Sequence, residues 1–167
     1  SGSGRGSSVN VPLFPYTTDD VFAWAFQEVV QPLLERVRPD VLVTQLGIDT
    51  HYQDPITHLA LTVQGIGAVV EKLSRLAPCW LALGGGGYDL QAVARAWTLA
   101  YGVMSEQEFP PELPSTYRDR YGGSTLADTE EPPVAESMRR DARVFAEESA
   151  REVQRLVFPT HGIGRGG

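Results

Sequence analysis

Two short segments carry the side chains in this sequence that are best suited to chemistry. The first contains Asp49 and His51, a carboxylate and an imidazole two positions apart, after an apolar run at residues 41–46. The second contains four consecutive glycines, residues 84–87, followed by Tyr88. Carboxylate and imidazole groups bind zinc, glycine lets a backbone approach another group closely, and a neutral donor such as tyrosine can stabilise a developing oxyanion.

Each of these residues also has a structural interpretation. A single Asp at the end of a strand is often a turn or cap residue, and His51 and His58 could be hydrogen-bonded structural histidines. The glycines could form a phosphate-binding turn, although they do not continue into a G-x-G-x-x-G pattern. Tyr88 could simply pack against its neighbours. Taken singly, these residues do not establish an enzyme.

The surrounding sequence alternates between strand and helix patterns. Residues 40–46 and 79–83 predict strands, and the first should be buried on both faces because it is β-branched and mostly apolar. Apolar residues at helical spacing predict helices at about residues 18–37, 62–77 and 90–104. Pro32 predicts a kink or break in the first helix. The alternation predicts an α/β fold with a parallel sheet and flanking helices, with ligands at the carboxyl ends of its strands.

Three further expectations concern single elements. Residues 9–13 are a candidate for a short strand. Cys79, in an apolar run, should be a buried strand residue because free cysteine is usually buried. The third helix should bear an apolar stripe that includes Leu90, Trp97 and Tyr101.

Composition divides the chain into four parts. Residues 1–8 are almost wholly Ser and Gly and predict a flexible lead-in. Residues 9–105 should form the α/β domain, and residues 106–133 are proline-rich and linker-like. Residues 134–167 form a carboxy-terminal helical extension. Its helix, at about residues 134–157, is charged on one side and should lie against the sheet domain or a partner.

Length, charge and hydropathy exclude several classes of protein. The chain has 167 residues with 42% hydrophobic content, which suits one domain with a real core. Its formal charge of −7 argues against nucleic acid as a direct partner. There is no apolar run near the ~20 residues of a membrane helix and no secretory pattern. We therefore expect a soluble, cytoplasmic protein without a membrane partner. A single cysteine excludes an internal disulfide and a cysteine-based metal cluster.

Three strings, read together, resemble a known family. They are Val-Asn-Val-Pro-Leu at residues 9–13, Gln-Leu-Gly-x-Asp-Thr followed by Asp-Pro at residues 45–55, and Leu-Gly-Gly-Gly-Gly-Tyr-x-Leu with Ala-Arg-x-Trp-Thr at residues 83–98. In order and separation they resemble the histone deacetylase family, and the glycine–tyrosine string is the most specific. The Phe-Pro-x-His-Gly ending at residues 158–162 resembles the bacterial acetoin utilization branch. The resemblance implies a three-layer α/β/α domain of the arginase–deacetylase type.

The resemblance also implies roles for individual residues. Asp49 matches the family's carboxylate zinc ligand in the second half of the domain. Tyr88 matches the tyrosine that hydrogen-bonds the acetyl carbonyl oxygen as it becomes an oxyanion. The substrate channel is expected to involve Ile56, Gly86, Gly87 and, as a pocket-side residue that does not bind metal, His51.

The sequence departs from the family in one respect. The paired histidines and the two other zinc ligands of the family lie upstream of the string that matches residues 9–13. Here only Ser, Gly and Arg5 precede that string, and the histidines are His51, His58 and His161, without a His-His pair. We therefore expect the carboxy-terminal half of a Zn²⁺-dependent deacetylase that needs its amino-terminal half to act on acetyl-lysine or a small acetylated amine. The alternatives are a stand-alone remnant that binds a partner, an acetylpolyamine amidohydrolase, and a phosphate-binding glycine turn.

Overall fold

The computed structural model describes residues 4–164 as a parallel strand pair with helices packed on one face. In chain order the elements are α1 (Asp19–Ala25), a π-helical turn (Phe26–Val30), α2 (Gln31–Val37), β1 (Val41–Leu46), α3 (Val63–Leu73), β2 (Cys79–Gly84), α4 (Leu90–Ser105), α5 (Ser115–Tyr121), α6 (Glu136–Val157) and a 3-10 turn (Phe158–His161). The predicted α/β fold, with a parallel sheet, flanking helices and a carboxy-terminal helix, is confirmed.

The two strands run parallel, with α3 in the crossover between them. The register pairs Val41 with Cys79 and Leu46 with Gly84. Thr62 begins α3 as its N-cap, since its hydroxyl oxygen accepts a hydrogen bond from the Gly65 amide at 3.0 Å. Asp19 in turn accepts hydrogen bonds from the Thr62 amide and hydroxyl at 2.9 and 2.6 Å, which fixes α1 against the start of α3.

The face of the sheet away from these helices carries apolar side chains that no element within residues 4–164 covers. Val43 and Leu81 point to this face and are 56% and 52% exposed. Val41 and Leu83 are exposed on the same face, so the prediction that the first strand is buried on both faces is wrong for this chain. Cys79 is also exposed, and its predicted burial is wrong for the same reason.

Helix α4 turns its small residues inward. Its buried face includes Ala92, Ala96 and Ala100, which pack on α3. Leu90, 82% exposed, and Tyr101, 61% exposed, point outward, so the predicted apolar stripe lies mostly outside the core of the described chain. Small side chains are favoured on this face of α4 because they let α3 and α4 approach closely.

Pro32 has the predicted effect on the first helix. The chain adopts a π-helical turn just before Pro32, which itself lies in the first turn of α2. Proline has no N–H to donate to the carbonyl four residues earlier. Gln154 of α6 donates to that carbonyl, the Glu28 oxygen, at 2.9 Å.

Residues 9–13 are not a strand, contrary to prediction, because no strand within residues 4–164 pairs with them.

Helix α6 packs lengthwise on α1 and the π-helical turn. Its buried side consists of Ala142, Ala146, Ala150 and Val153. Arg143 lies over the Trp24 ring at 4.3 Å, a cation–π contact that holds the helix from its charged side. No helix within residues 4–164 has both the length and the apolar character that crossing a membrane requires.

The segment 106–133, predicted to be linker-like, contains α5 and lies back on α4. Gln91 of α4 donates to the Tyr121 carbonyl at 2.7 Å, and the Leu126 amide donates to the Pro111 carbonyl at 2.7 Å. The division of the chain into four parts stays a prediction. The first three residues of the predicted lead-in and the last three of the extension lie outside the described residues.

Candidate active site

The loops after β1 and β2 lie side by side at the carboxyl edge of the sheet. The Ile48 amide donates to the Gly86 carbonyl at 2.7 Å, which extends the contact between the strands into the loops. Gly87 has φ +139°, a conformation that favours glycine, and lies against Ile48 and Val93. The parallel register therefore brings the Asp49 segment and the glycine–tyrosine segment together, as a parallel sheet predicts.

The Asp49 carboxylate lies directly over the backbone of both loops. A Cβ atom added to Gly86 would fall 2.3 Å from Asp49 Oδ2 and 2.8 Å from its Cγ. A Cβ atom added to Gly47 would fall 2.7 Å from Asp49 Oδ1. Both positions therefore need glycine if the carboxylate is to occupy this place.

The Asp49 carboxylate is half-buried and accepts no hydrogen bond from any residue within 4–164. The backbone carbonyl of Asp49, in contrast, accepts a hydrogen bond from the Thr57 hydroxyl. A half-buried carboxylate without a protein donor suits a cation, and carboxylate oxygen is a zinc ligand. No group of three or more candidate ligands assembles within the described residues. Asp49 therefore fits zinc as one ligand of a site that needs others.

Tyr88 is positioned through its backbone and has an open side chain. The residue is 55% exposed, and its amide donates to Asp54 Oδ2 at 2.8 Å. The other oxygen of Asp54 accepts from the amides of Ile56 at 2.9 Å and Thr57 at 3.2 Å. The buried Asp54 carboxylate therefore connects the loop that contains Asp49 to the Tyr88 backbone through these hydrogen bonds. Sequence reasoning used Asp54 only as part of a string and missed this bridge, although an Asp-Pro pair favours such turns.

The expected channel residues fall into two environments. Ile56 is 60% exposed, Gly86 lies against the Asp49 carboxylate, and Gly87 lies against Ile48 and Val93. His51 is instead fully buried. Its ring Nδ1 accepts from the Gln53 amide at 3.2 Å. Its Nε2 therefore carries the proton. The structure brings Asp49, Gly86 and the Tyr88 backbone together, whereas the His51 ring is turned to other partners.

The partner of His51 Nε2 is Asp128, 77 residues away in sequence, at 3.0 Å. Asp128 also accepts from the Val63 amide and from Arg95, both at 2.7 Å, and its side chain is only 4% exposed. Burial raises the pKa of Asp128, but the hydrogen bonds from His51, Val63 and Arg95 outweigh it and lower the pKa to about 2. Burial, and then the Asp128 charge, raise the pKa of the neighbouring Tyr52. No sequence signal marks Asp128, because its partners are far away in the chain.

A cavity of about 550 Å³ runs along β1 from Asp49 into the helical layer. Four consecutive residues, 44–47, line it, which places it on the edge of the strand and not on one face. Its deeper wall is apolar and includes Phe22, Phe26 and Val70. The edge of β1 opposite β2 is therefore open and apolar in the described chain.

A parallel α/β fold in which a carboxylate loop and a glycine–tyrosine loop meet at the strand ends defines the arginase–deacetylase class. The histone deacetylase domain family matches residues 1–104, and the chain belongs to this family. The resemblance seen in the three strings is confirmed.

The curated relatives include acetoin utilization proteins. The chain is 38% identical to acetoin utilization protein AcuC of Bacillus subtilis over 126 residues, which are 67% of this chain and 32% of that protein. It is 32% identical to the AcuC protein of Staphylococcus xylosus over 125 residues, 71% of this chain and 32% of that protein. The chain thus falls on the acetoin utilization branch and spans about a third of the length of these relatives.

Solved structures agree on the fold. A crystal structure of an HDAC homologue in complex with SAHA matches with a TM-score of 0.75 and 26% identity, covering 90% of this chain and 44% of that one. The HDA15 HD domain matches with a TM-score of 0.72 and 20% identity, covering 98% of this chain and 39% of that one, and supports the fold alone. The roles of Asp49, Tyr88 and the expected channel residues stay predictions.

Proposed function

We propose that this chain is the carboxy-terminal part of a zinc-dependent lysine deacetylase that hydrolyses the acetyl amide of acetyl-lysine. The observation that carries the proposal is the Asp49 carboxylate, held over Gly47 and Gly86 without a protein donor from residues 4–164 and joined to Tyr88 through Asp54. Membership of the histone deacetylase family and the SAHA complex of a similar structure support a deacetylase-type reaction.

In the proposed hydrolysis, several residues of this chain have separate roles. Asp49 contributes one anionic oxygen to zinc, and Gly86 leaves that oxygen room. The Tyr88 hydroxyl donates a hydrogen bond to the acetyl oxygen, which gains charge only in the transition state. Ile56, Gly86 and Gly87 border the acyl-lysine path. Zinc, when bound, acts as a Lewis acid and lowers the pKa of its water toward ~7.

The general base and the remaining ligands would come from an amino-terminal part of the same domain. His51 is unsuited to the role of base because both ring nitrogens already have partners. The uncovered face at Val43 and Leu81 and the open apolar edge of β1 supply surface for such a part. The relatives, about three times as long as the matched segment, are consistent with it.

A second candidate is a binding module without catalysis. The observation that favours it is the same apolar sheet face, since exposed apolar patches mark interaction sites and a different protein could cover this one. This candidate predicts that no metal binds when the face is covered, which separates it from the first.

A chimera tests the proposal, with this chain replacing the segment that it matches in the Bacillus subtilis AcuC protein. We expect the chimera to bind about one zinc ion and to hydrolyse an acetyl-lysine peptide. The 167-residue chain alone should do neither. The matched control is Asp49→Asn, which keeps the shape of the side chain and removes its charge. Zinc-dependent turnover by the chain alone, or a folded chimera that binds no zinc, would contradict the proposal.

A further inference from the structure

Asp128 is the most heavily engaged buried carboxylate outside the candidate site. It lies beyond residues 1–104, to which the family match extends. Its side chain receives three donors from three places in the fold: the His51 ring, the Val63 amide at the start of α3, and the Arg95 guanidinium of α4. The backbone of Asp128 is held as well, since its amide donates to Gln64 Oε1 at 3.0 Å.

The His51 segment is the only one of these three partners that belongs to an active-site loop. It begins two residues after Asp49 and ends at Asp54, whose amide donates to the His51 carbonyl at 2.9 Å. On its other side the segment is tied to Leu61, whose carbonyl accepts from the Tyr52 amide at 2.9 Å, and the Leu61 amide donates to the carbonyl of the preceding Thr50 at 3.1 Å. The loop is therefore fixed by backbone on one side and by Asp128 on the other.

The segment after α4 also contacts α4 without Asp128. The segment after α4 already returns to α4 through Gln91 and Tyr121, and its own loop closes between Leu126 and Pro111. Burying a carboxylate is costly unless it is fully hydrogen-bonded. The Asp128 carboxylate meets this requirement, since it accepts hydrogen bonds from the His51 loop, from the start of α3 and from α4.

We propose that Asp128 is a positioning residue, which holds the His51 segment and through it sets the places of Asp49 and Asp54 in the active-site loop. Its catalytic consequence rests on the proposed deacetylase function, whereas its structural consequence does not. In this arrangement the segment after α4 is part of the site although it touches neither metal nor substrate. Partners of this kind commonly change metal affinity or activity by about 10–100-fold.

Asp128→Asn is the decisive substitution. The Asn amide has nearly the same volume as the carboxylate, but one of its two sides is an NH₂ group. That group must face either Arg95 or the His51 and Val63 N–H groups, and all of these are hydrogen-bond donors that it cannot accept from. The matched control is Glu130→Gln, which makes the same chemical change two residues away at an exposed position. Asp128→Ala removes the contact altogether and serves as the severe variant.

The first measurement is amide hydrogen exchange of the full 167-residue chain. Asp128→Asn should accelerate exchange at residues 48–57 by about 10-fold or more, while the middle of α6 exchanges at the unchanged rate. Glu130→Gln should change neither. Acceleration spread evenly over the chain, or none at residues 48–57, would reduce Asp128 to an ordinary stabilising residue and overturn the proposal.

The second measurement uses the chimera. Asp128→Asn should weaken zinc binding in a chelator competition by about 10-fold or more and lower kcat with little change in KM, because the reacting groups and not the substrate contacts are displaced. Equal zinc affinity and kcat in Asp128→Asn and Glu130→Gln would contradict the proposal. If the unaltered chimera bound no zinc, the deacetylase function would fail, while the exchange result would still decide the role of Asp128.

Discussion

A methyl group at Gly86 has no room beside the Asp49 carboxylate. In Gly86→Ala the new Cβ would lie 2.3 Å from Asp49 Oδ2 and 2.8 Å from its Cγ. Non-bonded atoms of this kind sit ~3.5 Å apart, so the carboxylate or the loop must move by about 1 Å. A misplacement of this size costs about 10²-fold in a reaction that depends on geometry. We therefore expect zinc affinity and kcat of the chimera each to fall by about 10²-fold.

Gly84→Ala is the matched control in the same glycine run. Its Cβ would lie 3.2 Å from the Trp97 ring, so a side chain has to give only a few tenths of an ångström. Both variants add one methyl group in the same string, but only one displaces Asp49. Zinc affinity is measured by chelator competition and kcat on an acetyl-lysine peptide. If Gly86→Ala stayed within about 3-fold of Gly84→Ala in both, the inferred place of the metal beside Asp49 would be refuted.

Three further predictions concern Tyr88, Asp54 and Asp128. Tyr88→Phe in the chimera should lower kcat by about 10² or more and leave zinc affinity unchanged; a rise in KM alone would make Tyr88 a binding residue. Asp54→Asn should lower the free energy of unfolding, measured in urea, by about 1–3 kcal/mol and lower kcat, since one side of the buried carboxylate becomes an NH₂ group and leaves either the Tyr88 amide or those of Ile56 and Thr57 without an acceptor. Unchanged stability would exclude the bridge. The pKa of Asp128 in the folded protein is about 2, below the ordinary value of 3.8 for this carboxyl. The contribution of Asp128 to the free energy of unfolding is therefore complete above about pH 4 and is lost as the pH falls toward 2. Asp128→Asn should remove this loss from the pH dependence of unfolding.

The sequence predicted the elements near the site well because each depends on local chemistry. Thr62 begins α3 through its own hydroxyl, and the apolar run of β1 ends where Gly47 begins the loop. The parallel sheet follows from strand alternating with helix, and the same pattern predicts ligands at the carboxyl ends of the strands, where Asp49 and the glycine run lie.

Most of the predictions that were wrong concern burial, which depends on what covers an element. The composition of β1 is that of a strand covered on both faces, yet Val43 and Leu81 are exposed within residues 4–164. The outward stripe of α4 has the same explanation, since Leu90 and Tyr101 are apolar without a described neighbour to bury them. Composition thus predicts burial correctly only where another element covers the face, and no element within residues 4–164 covers this one.

Asp128 was missed for a different reason. Its contact with His51 spans 77 residues, and no periodicity or motif connects the two positions. The sequence predicts a linker for the proline-rich stretch around it, because irregular backbone gives no helical or strand pattern even where it is buried. Side-chain networks between distant loops have to be read from coordinates.

The central claim, that Asp49 binds zinc in a site completed by an amino-terminal part, is tested most directly by zinc content. Elemental analysis of the purified chimera should give about one zinc ion per molecule. Asp49→Ala should lose most of it, because loss of a direct ligand exceeds the 10–100-fold effect of outer partners. His51→Ala, which removes the contact with Asp128, should weaken zinc affinity by only about 10-fold and should keep near-stoichiometric zinc at saturating metal. Zinc that falls equally in both variants, or persists in Asp49→Ala, would contradict the account.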